Sequence, residues 1–316
     1  MKIFFLSLFV SSFLFASAIE KPIAKYNVDG AVTDLVFQEG KLYCATSASS
    51  VDIIDFKTKT IINKITVGKI KDFMGDEIEA KIYSVDVLKN RVLLLAQAEH
   101  GFRKIDIYQD GKQTTVLDPS KKLYIAKAKF INEETILLAL LSNDIISYNI
   151  KTQKYNWSTQ ASQSKFSNFV LSDNKQEVII ADESGELHIY DTNKGTLLKT
   201  LSGQNLDNVF QVDYKNGILA TAGQDRRAVV YDMKSNNSYY KTSKFLIYSV
   251  GISQSGKLVA YSSDENNNVT VFNSATKSII GIYGENKMIP IKILFISENK
   301  FFVASDDKVI NLYEIK

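Results

Sequence analysis

His100, His188 and Cys44 are the only imidazole and thiol groups in the 316 residues. A metal centre built from nitrogen and sulfur donors needs several such ligands at set spacings, and these three are scattered along the chain. His188 alternates with Leu187 and Ile189 and reads as a strand residue satisfied by its neighbours; Cys44 alternates with Leu42 and reads as a buried apolar group. No Ser-His-Asp or Cys-His motif surrounds them. Asp182-Glu183-Ser184-Gly185 has the composition of a hairpin turn and not of a phosphate-cradling loop. Haem attachment would need Cys-x-x-Cys-His, and a single cysteine cannot ligate an iron–sulfur cluster. The expectation is a chain with no catalytic, metal-binding or cofactor-binding residues.

The side chains that do stand out suit contact with another protein. Asp72, Phe73 and Met74 form one group, His100, Phe102 and Arg103 a second, and Arg226-Arg227 a third. Aromatic residues, Met and Arg are enriched at protein interfaces, and loops carried on a rigid scaffold are common functional places. What singles out the first two groups is their position against a repeat.

That repeat is a run of alternating apolar residues ending in an aromatic and a polar residue, clearest at Leu187–Asp191 and Ala228–Asp232. Aligned on its anchor, it recurs at Ile54, Tyr108, Tyr148, Tyr190, Tyr231, Phe272 and Tyr313, with successive gaps of 54, 40, 42, 41, 41 and 41 residues. A period near 41, every unit reading as strands and turns, is the spacing of one four-stranded propeller blade. Seven anchors predict an all-β, seven-bladed β-propeller, each blade running from an inner strand a to an outer strand d.

The first gap exceeds the usual one by 13 residues. Taking Val85 and Val212 as equivalent inner-strand positions places nine of the extra residues within about Thr66–Ala80, between blades one and two, and four around Gln97–Arg103. The connections from d to a and from b to c emerge on the same face of a propeller, so both insertions are expected to project together. The mixed composition of Lys69–Ile78 is compatible with a short helix. Arg226-Arg227 falls on the b to c turn of blade five and points to the same face.

After the seventh anchor only Glu314, Ile315 and Lys316 remain, which leaves the last blade without strand d, while Ile23–Val28 belongs to no complete blade. The economical solution is that the N-terminal segment supplies the missing outer strand and closes the ring, removing the open edges a linear array would expose.

Residues 1–18 are of different composition. Lys2 precedes an apolar stretch from Ile3 to Phe15, and Ala16-Ser17-Ala18 fits the small-x-small cleavage rule of a secretory signal peptide. Cleavage after Ala18 predicts an exported, periplasmic propeller over residues 19–316, without a membrane anchor and without an internal disulfide. Removing Lys2 leaves 37 basic against 35 acidic residues, and no basic block is present, which argues against a nucleic-acid partner.

The Tyr-Asp ending of strand c resembles the Trp-Asp ending of the WD-repeat (WD40) propellers. Asp144, Asp225, Asp264 and Asp306 stand in the turn before strand c, where that family places an aspartate. No Gly-His dipeptide precedes any blade, so the His-to-Asp hydrogen-bond network of that family is expected to be missing. The combination of leader, Tyr-anchored seven-fold repeat and Lys/Ile/Asn-rich usage most resembles the NapL family, accessory proteins of the periplasmic nitrate reductase. The resemblance implies a role in maturing, assembling or supplying electrons to that reductase; with no catalytic motif in the residues, the expectation is a non-catalytic, monomeric docking protein that engages nitrate reductase components. Two other readings stay open: a general cell-envelope scaffold, and a propeller enzyme or sensor binding a small ligand in its central channel.

Overall fold

Short runs of β-branched and aromatic residues, punctuated by Asn, Asp and Gly turns, leave the chain little choice but hairpins. The computed structural model describes residues 18–316; all of the predicted leader except Ala18 lies outside the described residues. The hairpins assemble into seven sheets of a seven-bladed β-propeller. Blade one is Val32–Gln38, Lys41–Thr46, Ser50–Asp55 and Ile61–Thr66; blade two is Ile82–Leu88, Arg91–Gln97, Arg103–Gln109 and Lys112–Leu117. The inner strands of the other five are Ile125–Phe130, Phe166–Leu171, Val209–Lys215, Val250–Ile252 and Pro290–Phe295. Within each blade successive strands pair antiparallel, as in Ile218–Gly223 against Arg227–Asp232.

The core is divided among the blades. Seven apolar clusters occupy the seven junctions between neighbouring blades. Six of the seven strand-c anchors are buried within them, with Tyr108 half-buried. Cys44 lies fully buried at the junction of blades seven and one, where desolvation pushes its thiol pKa up.

Ring closure follows the expected route. Ala24–Asn27 pairs antiparallel with Val309–Glu314 as the outer strand of blade seven. Tyr26 anchors it: the ring packs edge-on against Phe302 at 5.2 Å and the hydroxyl donates to the Phe56 carbonyl at 2.9 Å. The segment reaches further than the repeat pattern implies. Ile19–Glu20 adds a fifth, parallel strand to blade six, Ile19 facing Ile282, and the Gly284 amide donates to the Glu20 carbonyl at 2.9 Å. One stretch of about ten residues thus ties blades six, seven and one together.

The first insertion is a hairpin and not the short helix its composition allowed. Lys69–Lys71 pairs with Glu77–Glu79, putting Lys69 opposite Glu79, Ile70 opposite Ile78 and Lys71 opposite Glu77. Opposite charges across the ladder favour this register. The Asp72 carboxylate accepts the Met74 and Asp76 amides at 2.8 and 2.9 Å, and Gly75 takes a φ of +90°, which few other residues adopt at low cost.

Candidate functional site

The two insertions do meet on one face. The hairpin and the b to c loop of blade two enclose a groove of about 510 Å³ lined by Ile70, Asp72, Phe73, Ala98, His100 and Gly101. An adjoining hollow of about 430 Å³ continues past Phe102 to Pro119 and Lys122. The loop is held rigidly, with His100 and Gly101 both in the left-handed region.

Within this sector the predicted contact residues divide into two kinds. Phe73 and Met74 stand at the hairpin tip, 95% and 79% exposed, and His100 is exposed at the loop apex. Phe102 and Arg103 fold back. The Phe102 ring packs on Tyr124 at 5.3 Å, and the Arg103 guanidinium lies 4.0 Å over the Tyr83 ring while donating to the Gly101 and Phe102 carbonyls. Burial lowers the Arg103 pKa, against the opposing influence of Tyr83 and Tyr124. Asp72 serves the turn. Arg226 is exposed, whereas Arg227 stacks 4.1 Å over Tyr240 and donates to the Gln204 carbonyl at 2.8 Å. That pair lies three blades away from the groove and joins no common site with it.

His188 is buried as expected, but it is not fully satisfied. Its Nδ1 lies 3.4 Å from the Thr200 hydroxyl, and its Nε2, 3.7 Å from Asp182, has no hydrogen-bond partner among the described residues. Among the described residues no group of three or more His, Cys, Asp or Glu side chains is placed to hold a metal ion, and no helix is long and apolar enough to cross a membrane.

A second feature lies on the axis. In six of the seven blades the inner strand carries a β-bulge at the same place, the extra residues being Thr33, Tyr83, Ala126, Ser167, Phe210 and Ile291. Bulges re-aim the side chains that follow them. The next residue is polar in each case: Asp34, Ser84, Lys127, Asn168, Gln211 and Lys292; Ser249 of blade six completes a collar of seven. In five blades this residue faces an alanine of strand b, which leaves it room: Ala45, Ala139, Ala181, Ala222 and Ala304.

The collar answers a structural need, because an inner strand is a sheet edge with free backbone groups. The Val85 amide donates to Asp34 at 3.2 Å and the Val250 amide to Gln211 at 3.0 Å, while Lys127 donates to the Phe169 carbonyl at 2.7 Å and to Asn168 at 2.8 Å. One alternation further along, Asp86 accepts the Phe130 amide at 2.7 Å, Asp213 accepts that of Ile252 at 2.8 Å, and Lys129 donates to Asp34 at 2.9 Å. Burial alone would raise the Asp34 pKa; Lys129, Lys292 and Lys127 reverse that and hold it below the carboxylate range. For Asp213 burial prevails and the pKa is raised.

The channel opens as two cavities that share Lys127, Gln211 and Lys292. One, about 280 Å³, is rimmed by the bulge residues together with Tyr248, and its Phe210 and Tyr248 rings stack at 5.3 Å. The other, about 360 Å³, runs to the opposite face past Asp213 and Phe295.

The blades also carry internal polar ties. In blade five Asn205, from the d to a loop, accepts from Thr221 at 2.7 Å and donates to the Tyr231 hydroxyl at 3.2 Å. Asp225 accepts the Leu206 amide at 2.8 Å, so the turn aspartate reaches the same loop. In blade seven Asn286 accepts from Tyr313 at 3.0 Å and from Asn311 at 2.9 Å. Burial, with Asp225 adding to it, raises the Tyr231 pKa and keeps the phenol neutral as a donor or acceptor.

A scan against protein-family models finds none that matches the chain, and a search of curated proteins finds no match.

Proposed function

We propose that this chain is a non-catalytic periplasmic docking protein, an accessory of nitrate reduction of the kind the NapL family represents, which engages a protein partner through the hairpin face. The observation that carries the docking reading is the exposure of two adjoining apolar side chains, Phe73 and Met74, at 95% and 79%. They sit on a turn fixed by Asp72, above a groove with room for a partner's side chain. Exposed apolar groups gathered at one place mark interaction sites, and a rigid platform loses little conformational freedom on binding. The predicted leader supports the compartment.

The test is a photo-crosslinking amino acid placed at position 73 in cells respiring nitrate, with reductase activity read in periplasm from a deletion strain using an artificial donor. An adduct with a nitrate reductase component, and an activity loss restored by the gene supplied elsewhere, support the reading. Unchanged activity and no such adduct would overturn the assignment to nitrate reduction. An adduct with a membrane-fraction protein would favour the envelope scaffold.

A further inference from the structure

The axial collar carries more charge than the inner strands need. Lys127 and Lys292 line both channel cavities, so their ammonium groups stand where the two halves meet. They come from blades three and seven, and Asp34 is the one carboxylate among the seven collar residues. That carboxylate is already committed, with Lys129 at 2.9 Å on one oxygen and Lys292 at 3.6 Å on the other. The Lys127 ammonium donates to two neutral acceptors, lies 5.0 Å over the Phe169 ring and has no carboxylate within ion-pair distance among the described residues, so one of its three N–H groups has no hydrogen-bond acceptor. The Lys292 ammonium donates no hydrogen bond among the described residues, and its side chain is 24% exposed where it lines the channel.

We propose that the collar is a binding site for a small oxyanion, held between the Lys127 and Lys292 ammonium groups. One carboxylate against two ammonium groups gives this level of the channel an excess positive charge. Burial pushes the Lys127 pKa well down, and Lys292 and Lys129 push it further, against the opposing influence of Asp34 and Asp213. An anion between the two lysines removes their mutual repulsion and supplies acceptors for the idle donors, a charge-assisted contact strengthened by partial exclusion of water. Asp86 and Asp213 lie one alternation further along, each accepting a backbone amide, and set the depth at which an anion stops. Entry is from the face bearing Phe210 and Tyr248, where the cavity of about 280 Å³ holds a molecule of a few heavy atoms.

Isothermal calorimetry on the intact protein with inorganic phosphate, sulfate and acetate, each at constant ionic strength, tests this and separates a phosphate-type from a carboxylate-type ligand. Saturable one-to-one binding of at least one of them is expected. Lys292→Met should weaken it by about tenfold or more, the scale of losing one charge-assisted hydrogen bond, while Lys257→Met on the surface should leave it unchanged. Lys292→Met removes one ion pair at 3.6 Å but leaves Asp34 with Lys129 at 2.9 Å, so this variant is expected to fold even where Lys127→Met does not, and its melting temperature is read beside the calorimetry. Failure of all three anions to bind, or binding that Lys292→Met leaves intact, would overturn the proposal.

Discussion

In the axial collar charged side chains are buried or half-buried and tied to neighbouring blades, whereas at the hairpin tip apolar side chains stand in water. Lys129, Asp34 and Lys127 are held by specific partners because an unpaired charge withdrawn from water is costly. Phe73 and Met74 carry no such obligation, since a few exposed apolar atoms cost little until a partner covers them. Both regions are candidate sites, but they fail differently. Damage to the collar should first be visible in folding, and damage to the tip only in function.

The largest effect is expected at Asp34. Asp34→Ala strips Lys129 and Lys292 of their shared carboxylate and leaves the Val85 amide without its acceptor, so urea denaturation should show a loss of about 3–5 kcal/mol, the usual cost of breaking a buried ion pair. The folded-state pKa of Asp34 is depressed, so its contribution is present above its unfolded value and lost as pH falls through about 4 and below. Wild type should therefore lose stability more steeply in acid than Asp34→Asn. A loss under about 1 kcal/mol, or parallel acid limbs, would mean that the collar is wetter than its geometry implies.

A smaller effect tests the interior ties away from the axis. Asn205→Ala leaves the Thr221 hydroxyl and the Tyr231 phenol without a partner in a buried setting, and should cost about 1–3 kcal/mol by the same measurement. Thr221→Val combined with Asn205→Ala should cost less than the sum of the two, because together they remove both ends of one contact.

How far each region was legible in the sequence follows from the kind of signal it leaves. Blade number and ring closure rest on hydrophobic periodicity, which packing enforces in every repeat; the closing strand lies within the Ile23–Val28 segment and the strand-c anchors fall where the period puts them. The insertions were visible as departures from that period, although the hairpin's cross-strand Lys–Glu pairing was read as helix-compatible charge mixing. The collar went unread because its residues share polarity and not identity: Asp, Ser, Lys, Asn and Gln in turn. Val85 and Val212 were correctly matched, and the residues just before them, Ser84 and Gln211, are collar members, so one step along the same alignment exposes the ring. The Asn205 tie is hidden for a related reason, since a lone asparagine in a loop belongs to no motif. Ile19–Glu20 left no signal at all, because two residues are too few to show a period.

The smallest effect on stability, and the sharpest for function, is expected at the hairpin tip. Both Phe73 and Met74 are mostly solvent-exposed, so replacing them with serine removes almost no buried apolar area, and the double variant should unfold within about 0.5 kcal/mol of wild type. The same variant should lose the partner adduct formed from a photo-crosslinker moved to position 100, across the groove. Asp72→Ala separates contact from presentation: it frees the Met74 and Asp76 amides and loosens the turn without touching any blade. Weakened binding in Asp72→Ala with both apolar residues intact would show that the tip acts as a preformed shape. Full binding there, with loss in the serine variant, would make the two side chains sufficient however they are held. A destabilised serine variant would instead place the tip with Phe102 and Arg103, among the residues that pack the loop onto blade two.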